Sequence, residues 1–98
     1  MKICELLTGP EKWSQNIVAV NAEGKSVGYR NPSACRWCLL GAIYCCYSIP
    51  EGRAIESRIK DRLFGGRKRK LGDCLSVWND APDRTYRDIK KLITELDI

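Results

Sequence analysis

Cys35-Arg-Trp-Cys38 is the first place where thiol chemistry could reside. It lies in a stretch, residues 32–47, that holds four of the six cysteines and one charged side chain, Arg36. Redox pairs of this spacing sit at a helix N-terminus directly after a strand, where the helix dipole lowers the thiol pKa. Here the pair falls about one turn inside a helix expected from Asn31-Pro32 onward. The i, i+3 spacing then puts both sulfurs on one face as buried, inert thiols. A zinc site would need two more thiolates from Cys4, Cys45, Cys46 and Cys74. There is no second C-x-x-C, and adjacent Cys45 and Cys46 would point about 100° apart on a helix. The chain has no histidine, so a cysteine nucleophile would lack its usual base. No metal, no cofactor and no catalytic residue are expected, and the balance is against an enzyme.

A second constellation joins Trp78-Asn79-Asp80 to Arg84-Thr85: an aromatic face, an amide, a carboxylate and a guanidinium at a helix–turn–helix junction. With Arg36, Trp37 and Cys38 it defines a candidate pocket of eight residues. The competing reading is a capped corner, in which Asn79 and Asp80 bond turn amides, Asp80 or Asp83 pairs with Arg84, and Thr85 caps the last helix. Caps account for every residue without a ligand, so the corner is preferred. Arg36, a charge in an apolar segment, needs a partner, and Asp80 is the expected one.

The third signal is electrostatic. The net charge is +5, yet residues 53–70 alone carry eight basic side chains against Glu56 and Asp61, a local +6. Arg53, Arg58, Arg62, Arg67, Lys68, Arg69 and Lys70 are the candidate polyanion-binding residues. Their partner would be a nucleic acid or an acidic protein surface. Phe64 is the lone aromatic among them, so base stacking is not indicated.

These side chains must be positioned by a small fold. Ninety-eight residues make one domain, 1–98, and an apolar share of 44% places the chain among globular proteins. Ile3, Leu6 and Leu7 predict a short helix ended by Gly9-Pro10. Two β-branched runs, Ile17–Val20 and Ser26–Tyr29, flank a Gly-containing loop and read as a β-hairpin. Asn31-Pro32 reads as N-cap and first helical residue of an apolar central helix running to about Tyr47. Residues 51–64 are amphipathic. Leu71, Cys74, Leu75 and Trp78 fit a further short helix, and Ile89, Leu92, Ile93 and Leu96 stripe the last one behind a Thr85-Tyr-Arg-Asp88 capping box. The fold class is therefore α+β: a central apolar helix, a hairpin and three to four surrounding helices. The apolar run of about 14 residues is too short for a membrane span. No export signal follows the start, and a cytoplasmic home with reduced thiols is expected.

Three pieces in order, Gly9-Pro-Glu-Lys-Trp13, Cys35-Arg-Trp-Cys-Leu-Leu-Gly-Ala-Ile43 and Trp78-Asn-Asp80 with Arg84-Thr85, resemble a family of small uncharacterised proteins of bacteria and phages, a domain of unknown function. Its pattern is an Arg-Trp-Cys-x-x-Gly-Ala helix and a Trp-Asn-Asp-x-x-x-Arg-Thr motif. Trp13, Arg36, Trp37, Cys38, Gly41, Ala42, Trp78, Asn79, Asp80, Arg84 and Thr85 match it. Cys35, Cys45, Cys46 and the basic loop lie outside it. The resemblance implies a fold boundary and a residue list, and no activity. The function expected is that of a small non-enzymatic interaction protein, phage- or mobile-element-associated, binding through its basic surface. The alternative is an enzyme or small-ligand binder using Cys38, Trp78, Asn79, Asp80 and Arg84.

Overall fold

A computed structural model describes residues 1–65 and 70–98. Among these, five α-helices surround a two-stranded antiparallel sheet, an α+β fold. Helix α1 is Ile3–Leu6, followed by a 3₁₀ turn at Pro10–Lys12; Cys4 on α1 is exposed. Strand β1, Ala19–Val20, pairs with β2, Arg36–Trp37, with Ala19 opposite Trp37 and Val20 opposite Arg36. Helix α2 is Leu39–Cys46, α3 is Ile49–Phe64, α4 is Leu75–Asp80 and α5 is Tyr86–Leu96.

The central helix is present but begins later than the sequence suggests. Asn31 does not cap a helix. Its Oδ1 accepts from the Ser33 amide at 2.8 Å and from Ser33 Oγ at 2.7 Å, closing a tight polar turn. Asn-Pro is turn chemistry as readily as helix-start chemistry, and nothing local separates the two. The chain then runs extended as β2. The Cys35 amide donates to Val20 O and the Cys38 amide to Val18 O, and α2 starts only after Cys38. Cys35 and Cys38 are thus separated by a strand, roughly 10 Å of extended chain, and do not share a helix face.

The expected hairpin forms at its loop, and its two runs pair through a single antiparallel bridge rather than a ladder. Asn21 Oδ1 accepts from the Glu23 and Lys25 amides, and Gly24 takes φ +79° to close the turn. Beyond it, one bridge joins Val20 to Ser26 and Val27 donates to Ala19 O. The ladder that defines the sheet is the one to β2, because burying Trp37 requires it: Trp37 is 8% exposed and its Nε1 donates to Tyr29 O at 3.0 Å.

Helix α3 matches its amphipathic pattern. Ser48 and Glu51 form a full capping box, Pro50 stands in the first turn, and Gly65 at φ +61° ends it. Ile55 and Ile59 are buried. Arg30 closes the C-terminal end of α2, donating from Nε to Tyr44 O and from Nη2 to Tyr47 O. Helix α4 starts four residues later than predicted, at Leu75, and Leu71 lies fully exposed outside it. Helix α5 has the predicted Thr85–Asp88 capping box; the backbone N–H of Thr85 holds the Asp88 carboxyl below its ordinary pKa. Ile3, Leu7, Leu39, Ile43, Ile59, Leu75, Ile89 and Ile93 form the core, and Ile98 joins it by accepting from the Ile3 amide.

Gly41 lets α2 lie against the chain before β1. A Cβ there would stand 2.3 Å from Val18 O, the carbonyl that takes the Cys38 amide. Gly41→Ala is therefore expected to lower stability by about 1–3 kcal/mol, the usual range for overpacking. A urea unfolding midpoint measures it. Gly28→Ala, where a Cβ meets open space, is the near-neutral control.

Candidate functional site

Asn79 is the centre of the second constellation, and it is completely buried. It lies at the end of α4, facing the loop that carries Trp13 and the start of α2. Its Oδ1 accepts from Trp13 Nε1 at 2.7 Å and from the Leu39 amide at 3.0 Å. Its Nδ2 donates to Ser14 O at 3.1 Å and to Asp80 Oδ1 at 2.8 Å. Its carbonyl accepts from Gln15 Nε2, which also donates to Ala81 O. An amide side chain offers two donors and two acceptor lone pairs, and all four are used within the chain. Nothing of Asn79 is left for a ligand.

Asp80 is likewise engaged. Besides Asn79 it accepts from the Asn16 amide at 2.8 Å, where Asn16 sits at φ +66°. The expected Arg36–Asp80 pair does not form. Arg36 is exposed, and its Nε donates to Glu11 O at 3.0 Å. Because β2 rather than a buried helix carries Arg36, its side chain reaches solvent and needs no carboxylate. Arg84 does not pair with Asp80 either. Its guanidinium lies over the Trp78 ring, 4.1 Å from the centroid, and its Nε donates to Trp78 O at 2.8 Å. Thr85 is spent on capping α5.

The eight candidate pocket residues therefore do not converge on one cleft. Trp78 and Arg84 line a groove of about 220 Å³ between α3, α4 and α5, with Arg62, Leu63, Asp88, Lys91, Leu92 and Glu95. Arg36 lines a different cleft, of about 510 Å³, with Trp13 and Tyr86. Trp37, Cys38 and Asn79 are buried.

Cys38 is the N-cap of α2, and its Sγ accepts from the Gly41 amide at 3.3 Å. That is a strand-to-helix thiol after all, but burial pushes its pKa up and outweighs the helical N–H groups that pull it down. Burial also pushes Cys45 up and Cys46 up to about 11. None of these thiols is poised as a thiolate.

The basic residues of α3 divide. Arg53 and Arg62, nine positions apart, lie about 180° from each other around the helix. Arg62 pairs with Glu95 and Arg58 donates to Leu96 O at 2.9 Å, both fastening α3 to α5. Arg53 lines a shallow depression with Glu56, Ser57 and Lys60 on the other side. Lys70 is exposed; Arg67, Lys68 and Arg69 lie outside the described residues. The cations that sequence reasoning missed are on α5. Arg87, Lys90 and Lys91 are exposed and make no hydrogen bond or ion pair among the described residues. The signal was there: a stripe at Ile89, Leu92, Ile93 and Leu96 leaves 87, 90, 91 and 94 together on the outer face.

A model of a family of unknown function, DUF6197, matches residues 2–96. The chain belongs to that family. No curated protein and no solved structure matches it.

Three predictions come from this geometry. Asn79→Ala strands Trp13 Nε1, the Leu39 amide and Ser14 O, and is expected to cost about 3 kcal/mol or more at 1–3 kcal/mol per buried unpaired group. Asn79→Asp turns the two donated bonds into carboxylate–oxygen repulsion. Its carboxyl pKa is then raised on folding, so its deficit against wild type should be largest at neutral pH, shrink as the pH falls through that raised pKa, and be smallest below about pH 4; denaturant titrations at neutral and acid pH measure it. In native protein, a thiol reagent should label exposed Cys4 first and Cys38 only on unfolding, as read by peptide mass spectrometry.

Proposed function

We propose that the chain is a small non-enzymatic interaction protein that binds the phosphate backbone of a nucleic acid without reading base sequence. The observation that carries this is the outer face of α5, where Arg87, Lys90 and Lys91 stand at i, i+3 and i+4 with no intramolecular ion pair among the described residues. Neighbours at that spacing have Cβ atoms about 5–6 Å apart. Arg62, Arg84 and Lys91 line the adjoining groove, and Arg67, Lys68, Arg69 and Lys70 stand in the chain between α3 and α4. A lysine-rich face favours phosphate over protein, because protein interfaces deplete lysine while nucleic-acid interfaces concentrate positive charge. A cytoplasmic setting belongs to this reading; it is supported by six unpaired cysteines and, among the described residues, by the lack of any helix long and apolar enough to cross a membrane. Association with phages or mobile elements rests on the family resemblance alone.

The test is binding of fluorescent DNA and RNA duplexes and single strands across a salt series. Wild type is expected to bind with an affinity that falls steeply with salt. Arg87→Gln, Lys90→Gln and Lys91→Gln together should reduce the slope of log K against log salt by about 3, and Glu at positions 67–70 should weaken binding further. A slope unchanged in both variants overturns the proposal. Capture of an acidic protein through the same residues, with no nucleic-acid binding, replaces it with a protein partner.

The alternative, a pocket that includes Cys38 and Asn79, is not favoured: both are buried and both have their polar atoms occupied.

A further inference from the structure

On a different face, between the loop after α1, the sheet and the start of α5, lies the cleft that holds Arg36. Its volume of about 510 Å³ falls within the roughly 300–1,000 Å³ of small-molecule sites. Its walls are Pro10, Trp13, Ile17, Val20 and Tyr86. Trp13 and Tyr86 give it two aromatic faces.

The polar groups in those walls are already spent. Trp13 Nε1 donates to Asn79 Oδ1, Ser14 Oγ to Ile17 O, Gln15 Nε2 to Asn79 O and Ala81 O, and Tyr86 Oη to Leu7 O at 2.6 Å. Among the described residues, Arg36 is the one ionised side chain lining the cleft. Its Nε donates to Glu11 O at 3.0 Å, which anchors the guanidinium by its inner edge. Its two terminal nitrogens have no partner among the described residues. A guanidinium fork matches a carboxylate or phosphate bidentately.

We infer that this cleft is a binding site for a planar aromatic molecule bearing one oxyanion, held between Trp13 and Tyr86 with its carboxylate or phosphate on Arg36. The site is independent of the α5 face. A neutral aromatic would gain no charge-assisted bond from the terminal nitrogens of Arg36, and a cationic one would be repelled.

The test uses the full chain, ¹⁵N-labelled, titrated with benzoate, phenyl phosphate and benzamide while the indole N–H resonance of Trp13 is followed. At least one of the two anions is expected to shift that resonance saturably. Benzamide should bind about tenfold more weakly or worse, since a charge-assisted hydrogen bond is worth at least that factor. Benzoate alone assigns a carboxylate ligand, and phenyl phosphate alone a phosphate ester. Arg36→Gln should abolish the difference between anion and amide, and Arg36→Lys, which keeps the charge without the fork, should fall between. Substituting Arg87, Lys90 and Lys91 with Gln should leave the anion's affinity unchanged, which separates this site from the α5 face. No saturable shift with either anion, equal binding of benzamide, or full anion affinity in Arg36→Gln would overturn the inference.

Discussion

A single buried amide holds three separate parts of this chain together. Asn79 lies in the last turn of α4, yet its oxygen covers the first amide of α2 and the indole of Trp13, and its nitrogen reaches Ser14 O. The N-terminus of a helix leaves four backbone donors without partners. In α2 these are the amides of residues 38–41: Cys38 N goes to Val18 O, Leu39 N to Asn79 and Gly41 N to Cys38 Sγ. The central helix therefore begins where a side chain forty residues away in the chain meets it. A buried polar network that is fully satisfied specifies one arrangement, whereas a half-satisfied one would be worse than an apolar core.

The two surface features follow from that corner. With Asn79 inward, Trp78 is turned partly outward, where Arg84 stacks on it and lines the groove beside α3. The same corner holds Trp13 with its indole nitrogen on Asn79 while its side chain lines the second cleft, as does Tyr86. A chain this small has one core and little volume for a deep cavity. The recognition surfaces proposed for it are accordingly an outer helix face and a cleft at the edge of a two-stranded sheet.

Some of this was readable from residue types alone. The Thr85–Asp88 box, the α5 stripe and the extent of α3 follow from periodicity and caps, and the structure holds them close to where the pattern puts them. The capped-corner reading of Asn79 and Asp80 anticipated that their polar atoms would be bonded within the chain, though not the identity of the partners. Asn31-Pro32 misled because an Asx turn and a helix N-cap use the same side-chain oxygen on a nearby amide. The Arg36–Asp80 pair misled because it assumed that an apolar segment buries whatever charge it carries. In a strand, alternate residues face opposite sides, so Trp37 goes into the core while Arg36 goes to solvent.

The sequence by itself determined the α+β class, the helix count to within one, the cationic character and, through its resemblance, the family of unknown function that residues 2–96 match. Those properties depend on local spacing, composition and residue order. Only the tertiary structure decided where the central helix starts, which strand pairs with Ala19–Val20, and that the eight motif residues divide among a buried hub, the core, a helix cap and two separate clefts. The reason is physical. A backbone donor can be satisfied by any acceptor that folding brings within reach, and sequence spacing does not say which one arrives.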